Sequence, residues 1–139
     1  MPAPFPHVYH ASVSRTFPSR GRVDVDGDIA AWSPEHLVLS SLGMCMLTTF
    51  EAFAARAGIE LVAWRTRLTG TVDHTPEGPA FTSIVLGIEM EITGNVDRVD
   101  QTLEDAKHAC LVINSLRVPV VIEAEIRTPK AAEEYELAS

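Results

Sequence analysis

Apolar positions recur in two periods along this chain. From Leu37 to Phe50 there is no charged residue, and apolar or small side chains fall on every face of a helical projection. That pattern predicts a central helix buried on all sides. Its ends are marked. Ser33 suits an N-cap and Pro34 the first helical position. Glu35 complements the helix dipole, and Gly58 suits a C-terminal stop. The rest of the chain mostly follows the strand period of two. His7 to Thr16 alternates, with Tyr9, Ala11 and Val13 on one face and Val8, His10 and Ser12 on the other. Pro18-Ser19 breaks it, Arg20 to Val25 predicts a second strand, and Asp26-Gly27 is a hairpin signal. Beyond Gly58, Glu60 to His74 predicts a long strand and Phe81 to Thr93 another, with Ile84, Leu86, Ile88, Met90 and Ile92 on one face. The turn residues 75–79 between them predict an antiparallel pair. After Gly94-Asn95, the residues Val96, Val99, Leu103, Ala106, Cys110 and Ile113 make one helical stripe. Val118 to Arg127 predicts a last strand with Val120, Ile122, Ala124 and Ile126 inward. Residues 1–6 read as a loose arm, and 128–139 as a charged tail, either a short surface helix or disordered.

The predicted order is β-β-α-β-β-α-β, which suits an α+β fold: a single domain over 1–139 with an antiparallel sheet and helices on one side. A helix apolar all round cannot be hidden by one sheet face and one further helix. Dimerisation would bury the flank left over, so a homodimer is expected.

Charge narrows the partners. The net charge is −8 at pH 7, and no basic stripe with interleaved aromatics offsets it, which argues against nucleic acid and anionic membrane. The first residues lack the basic and apolar regions of a signal peptide. The Leu37–Phe50 run is shorter than the roughly 18 residues of a membrane span. A cytoplasmic protein is the expectation.

The chain has two cysteines, Cys45 and Cys110, and in that compartment a permanent staple is uncommon. Each suits a small core hydrophobe. Together they also suit a reactive pair in which one thiol attacks and the other resolves. The attacking form is the thiolate, which needs a lowered pKa. Cys45 lies too deep in its helix to draw on the N-terminal dipole, so a cation from another segment is required: Arg15, Arg20, Arg22 or His36. No C-x-x-C or H-E-x-x-H spacing suggests a metal, and no glycine-rich phosphate loop or G-x-S-x-G suggests a cofactor or a serine nucleophile. Ser40 and Ser41 suit backbone-bonded helix serines.

Ser33-Pro34-Glu35-His36-Leu37, with Cys45 ten residues after the glutamate and Cys110 in Ala-Lys-His-Ala-Cys, resembles the OsmC/Ohr family. The Gly-Arg-Val-Asp-Val-Asp-Gly segment resembles the arginine-bearing N-terminal region of its organic-hydroperoxide-resistance branch. The resemblance runs from about Val8 to Arg127. It implies an intertwined homodimer with the site at the interface. It also implies a thiol peroxidase that reduces organic hydroperoxides at the expense of a dithiol reductant, with no metal or organic cofactor. On this resemblance Cys45 is the peroxidatic thiol, Cys110 the resolving thiol, Glu35 the active-site glutamate and Arg20 the activating arginine, with Arg22 the alternative. Two positions depart from the family pattern: Leu111 follows the second cysteine where proline is frequent, and Gly43-Met44 precede the first where small alanines are usual.

Ten residues of straight helix put Glu35 and Cys45 about 15 Å apart. One arginine cannot make short contacts with both, so either the helix breaks near residues 40–43 or the Glu–Arg pair comes from the partner chain. The partner chain is the expectation. Two other readings keep the residues but drop the turnover: an OsmC-fold ligand-binding or redox-sensing protein, and an interaction domain with inert core cysteines.

Overall fold

The computed structural model of the chain describes residues 5–16, 22–25 and 33–128. Among the described residues five strands and three α-helices follow one another as β1 (His7–Thr16), β2 (Arg22–Val25), α1 (Pro34–Ala57), β3 (Ile59–Thr75), β4 (Gly78–Gly94), α2 (Val99–Ala109), α3 (Leu111–Ser115) and β5 (Val120–Arg127), with a 3-10 turn at Val96–Arg98 before α2. The strands form one sheet in the order β2-β1-β3-β4-β5.

The long hairpin β3–β4 is the frame. Its turn is tighter than the sequence suggests, because Pro79 already pairs with His74 and Gly78 with Thr75. Gly78 makes this possible with φ +114, and the Thr75 hydroxyl donates to its carbonyl at 2.6 Å. Alternation does the rest. Trp64, Thr66 and Leu68 on β3 and Ile84, Leu86, Ile88, Met90 and Ile92 on β4 turn inward and are buried. β1 adds Ala11 and Val13 to the same face.

α1 lies across that face. Ser33 caps it: its hydroxyl accepts the His36 N–H at 3.3 Å, and the His36 ring accepts the Ser33 N–H at 3.1 Å. Gly58 ends the helix in the left-handed region at φ 74, a conformation that costs glycine little. A cap contributes about 1 kcal/mol. Leu39, Leu42, Met46 and Phe50 are fully buried at about 1.5–3 kcal/mol each, so packing rather than capping fixes the helix. Gly43 sets how close it comes. A Cβ there would stand 2.7 Å from Val13 Cγ2 and 3.0 Å from Leu68 Cδ1.

Several expectations are corrected. The sheet is mixed, not antiparallel throughout, because β5 runs parallel to β4. A parallel neighbour needs a crossover, and α2 and α3 are that crossover. The second helix is not one element: it stops at Ala109 and restarts at Leu111, with Cys110 in extended backbone at φ −71, ψ 112. Within one chain α1 is not buried on all sides. Leu37 is 55% and Met44 50% exposed, and Ser41, Thr48, Ala52 and Ala55 are exposed along the same side. With 24 residues, α1 extends beyond the uncharged run and is long and apolar enough to cross a bilayer by length and composition; 44% of its apolar window is buried in the fold. Ala124 on β5 lies on the inner face beside Ile88 as expected, but is left exposed there. Phe5, placed in the loose arm, stacks on His7 with ring centroids 4.4 Å apart. Pro18-Ser19, the Asp26-Gly27 hairpin signal and the tail beyond Thr128 lie outside the described residues.

Candidate active site

The two cysteines meet because two antiparallel helices start from one pinned point. At the end of α1 the Gly58 carbonyl accepts the Asn95 N–H at 2.9 Å, and the Asn95 side chain donates to the Ala57 carbonyl at 3.2 Å. Gly94 allows this close approach: its φ is +87, and a Cβ there would lie 2.5 Å from the Gly58 carbonyl oxygen. From this point α1 runs back to Cys45, about 20 Å at helical rise, and the 3-10 turn with α2 runs alongside it for about the same length to Cys110. Equal lengths from a common origin bring the thiols level. They are free and near enough for each to shift the other's titration.

The break at Cys110 shapes the surroundings of Cys45. The Asn114 N–H donates to the Cys110 carbonyl at 3.0 Å, and the Asn114 side chain donates to the His108 carbonyl at 2.9 Å. That clip holds the turn between α2 and α3. It leaves the backbone N–H groups of Leu111 and Val112, at the start of the new helix, directed at the Cys45 sulfur.

The electrostatic outcome differs for the two thiols. Partial burial works against a Cys45 thiolate. The Val112 N–H, the Cys110 thiol, the Thr49 hydroxyl and the Leu111 N–H outweigh it, and together hold Cys45 below the ordinary thiol value of 9.0. Cys110 is fully buried. Burial, and then its neighbour Cys45, push it up to about 11, against opposing hydrogen bonds from the Ile113 and Val112 backbone. Cys45 therefore gives up its proton before Cys110 does, and the Cys110 thiol favours the Cys45 thiolate. A thiolate beside an S–H is the arrangement that an attacking and a resolving cysteine require.

The other predicted site residues are distributed differently. Glu35 stands in the first turn of α1, ten residues from Cys45, and α1 is continuous from Pro34 to Ala57, so a break near residues 40–43 is ruled out. Arg20 lies outside the described residues, and of Arg22 the structure gives its place in β2. Arg15 pairs with Glu51 at 3.3 Å, an exposed contact worth about 0–1 kcal/mol. His36 is the capping partner of Ser33 and packs edge-on against Tyr9 at 5.2 Å. Ser41 donates to the Val38 carbonyl at 2.7 Å as expected, whereas the Ser40 hydroxyl is buried without a partner among the described residues. Sequence reasoning missed Thr49, 3.9 Å from the Cys45 sulfur, and the Leu111 and Val112 amides. A Thr-Thr pair in a helix gives little signal, and backbone amides give none.

Cys45 is partly exposed at the edge of the open face of α1, with Met44 beside it. Leu111, next to Cys110, is 72% exposed. No wall closes over these apolar side chains within the described part of one chain. Two surface hollows, of about 380 and 340 Å³, lie among the charged side chains of the opposite sheet face, including Arg65, Glu89 and Glu125, away from the thiols. Among the described residues no three His, Cys, Asp or Glu side chains gather as a metal site.

The sequence model of the OsmC-like protein family matches residues 25–125, which include both cysteines. The chain belongs to the OsmC-like family. The architecture agrees. An OsmC-like protein of unknown function from Vibrio cholerae superposes with a TM-score of 0.64 at 17% identity, covering 83% of this chain and 84% of that one. An OsmC-like hydroperoxide resistance protein from Jannaschia gives 0.60 at 16% identity, over 78% and 84%. The organic hydroperoxide resistance protein OhrB of Bacillus subtilis gives 0.54 at 14% identity, over 88% and 98%. At these identities the likeness is one of fold. No curated protein matches the chain.

Proposed function

We propose that this OsmC-like protein is a cysteine-based peroxidase that reduces organic hydroperoxides. The observation that carries the reading is the unequal thiol pair: Cys45 partly exposed with its pKa lowered, and near it a buried Cys110 raised to about 11, each acting on the other. The Cys45 thiolate attacks the terminal peroxide oxygen. An S–O bond forms, the O–O bond breaks, and the alkoxide takes a proton from water to leave as an alcohol. Cys45 becomes a sulfenic acid, and the Cys110 sulfur displaces its oxygen as water, closing a disulfide. A dithiol reductant restores both thiols by exchange and carries away the two electrons. The hydroperoxide-resistance names of two fold neighbours support the substrate class.

The uncharged open face of α1 supports a homodimer. A second copy packed there would cover Leu37 and Met44 and wall the space above Cys45. In that assembly Arg20 of one chain, anchored by Glu35, would face Cys45 of the other. Apolar walls favour a bulky organic peroxide, whose tail gains roughly 25 cal/mol per Å² buried.

Stopped-flow oxidation of the reduced protein by cumene hydroperoxide and by hydrogen peroxide tests this. The expected result is a much faster reaction with the organic peroxide, none at Cys45 in Cys45→Ser, and arrest at the sulfenic acid in Cys110→Ser. A Cys45 no faster than a free thiol overturns it.

A further inference from the structure

Two adjacent threonines on α1 direct their hydroxyls differently. Thr48 bonds back to its own helix, donating to the Met44 carbonyl at 3.1 Å and the Cys45 carbonyl at 3.2 Å, as a threonine in mid-helix usually does. Thr49 would find the same Cys45 carbonyl one turn back, but Thr48 already occupies it. The Thr49 hydroxyl instead lies 3.9 Å from the Cys45 sulfur. Residues four apart share a helix face, so the pair is fixed by one rigid element. Thr49 is half-buried and stands on the side of α1 that meets the Cys110 turn.

We propose that Thr49 is a dedicated hydroxyl donor to the Cys45 sulfur, holding it as the thiolate and fixing the rotamer from which it attacks. The proposal rests on Cys45 being the attacking thiol. The donor is neutral and keeps its own proton throughout. In the first step the sulfur gives its electron pair to the terminal peroxide oxygen, and the leaving alkoxide is protonated by water. The Thr49 O–H then passes its hydrogen bond from the sulfur to the new sulfenic oxygen. That orients the sulfur toward Cys110, the titratable group among those acting on Cys45. A donor on the same helix turn needs no second chain, so it acts on Cys45 in either oligomeric state.

The test is iodoacetamide labelling of Cys45 in the full-length reduced protein from pH 6 to pH 10, read by peptide mass spectrometry. Thr49→Val removes the hydroxyl at nearly constant shape. It is expected to raise the labelling midpoint by about half to one pH unit and to slow labelling at pH 7 about threefold to tenfold. Thr49→Ser keeps the donor and is expected to stay within about twofold of the parent, and Thr48→Val is expected to match it. If Thr49→Val does not fold, Thr49→Ala carries the same expectation. A parent-like midpoint in Thr49→Val overturns the proposal. So does a Thr49→Ser variant that falls as far as Thr49→Val, since shape rather than the hydroxyl would then be responsible. Labelling needs no peroxide, so the result stands apart from the peroxidase reading. The cumene hydroperoxide rate of the same variants tests that separately and is expected to fall in parallel.

Discussion

Cys45 and Cys110 begin as identical side chains and end with opposite acid–base behaviour. Cys45 sits on an unbroken helix whose dipole is of no help at mid-length, and the groups that favour its thiolate are the start of α3, the Cys110 thiol and Thr49 one turn along its own helix. Cys110 sits at a break between two short helices, where its backbone is extended and its sulfur is buried against α1. The break that directs amides at Cys45 is the same feature that buries Cys110. One irregularity of the main chain therefore sorts two thiols into a nucleophile and a reserve, and a composition count cannot distinguish them.

The strongest way to break this asymmetry is to delete one side of it. Cys45→Ser is expected to abolish organic peroxide reduction, by about a thousandfold or more on the scale of nucleophile removal. Cys110→Ser is expected to keep the first oxidation near the parent rate and to accumulate sulfenic acid, seen by dimedone labelling. Loosening the break comes next. Asn114→Ala removes the clip to the His108 carbonyl that holds both the Cys110 turn and the amides acting on Cys45; disulfide closure is expected to slow about tenfold through lost positioning, and the first oxidation to slow by less as the Cys45 pKa rises; single-turnover quench experiments separate the two steps. A pH titration sharpens the comparison further. Thiolate increases with pH, so alkylation is expected to reach Cys45 with a midpoint below 9.0 and Cys110 only near about 11. In Cys45→Ser the Cys110 midpoint is expected to fall, because a neighbouring negative charge is gone, yet to stay above 9.0, because burial is the larger cause. The smallest effect is on the seat of α1. Gly43→Ala brings a methyl against Val13 and Leu68. It gains about 1 kcal/mol of helix propensity against an overpacking cost of about 1–3 kcal/mol. A net loss of about 1 kcal/mol is expected in urea unfolding, with Cys45 reactivity changed more than that of Cys110.

Local signals in the sequence carried most of the fold. Ser33, Pro34 and Gly58 bound α1 because caps act within a turn, and the alternation of Ile84 to Ile92 fixes the inner face of β4 because strand faces repeat every second residue. The direction of β5 was not legible. Its alternation is the same whether it runs parallel or antiparallel, and only the path of the crossover decides. The break at Cys110 was missed because Ala109-Cys110-Leu111 contains no glycine or proline and its apolar stripe continues unbroken to Ile113. The all-round apolar character of α1 was read correctly as a pattern, yet one chain buries only part of it. As for the site, the motif spacing marked the two cysteines as a pair, and the fold brings them near enough to shift one another's titration. The groups that bias them are a hydroxyl chosen by its neighbour's prior bond and two amides exposed by a backbone break, neither of which has a residue signature.

The pinned ends at Gly58 and Asn95 make α1 and the α2 crossover work like a pair of tongs. Both arms are about 20 Å long, so a rotation of about 5° at the pivot moves a tip by roughly 1.7 Å. A disulfide tolerates little error in the placement of its sulfurs, which stand ~2.05 Å apart when bonded, so a tip movement of that order matters to its closure. A change of a few degrees, made some 20 Å away at two glycines and an asparagine with no chemistry of their own, therefore acts directly on the spacing of the thiols.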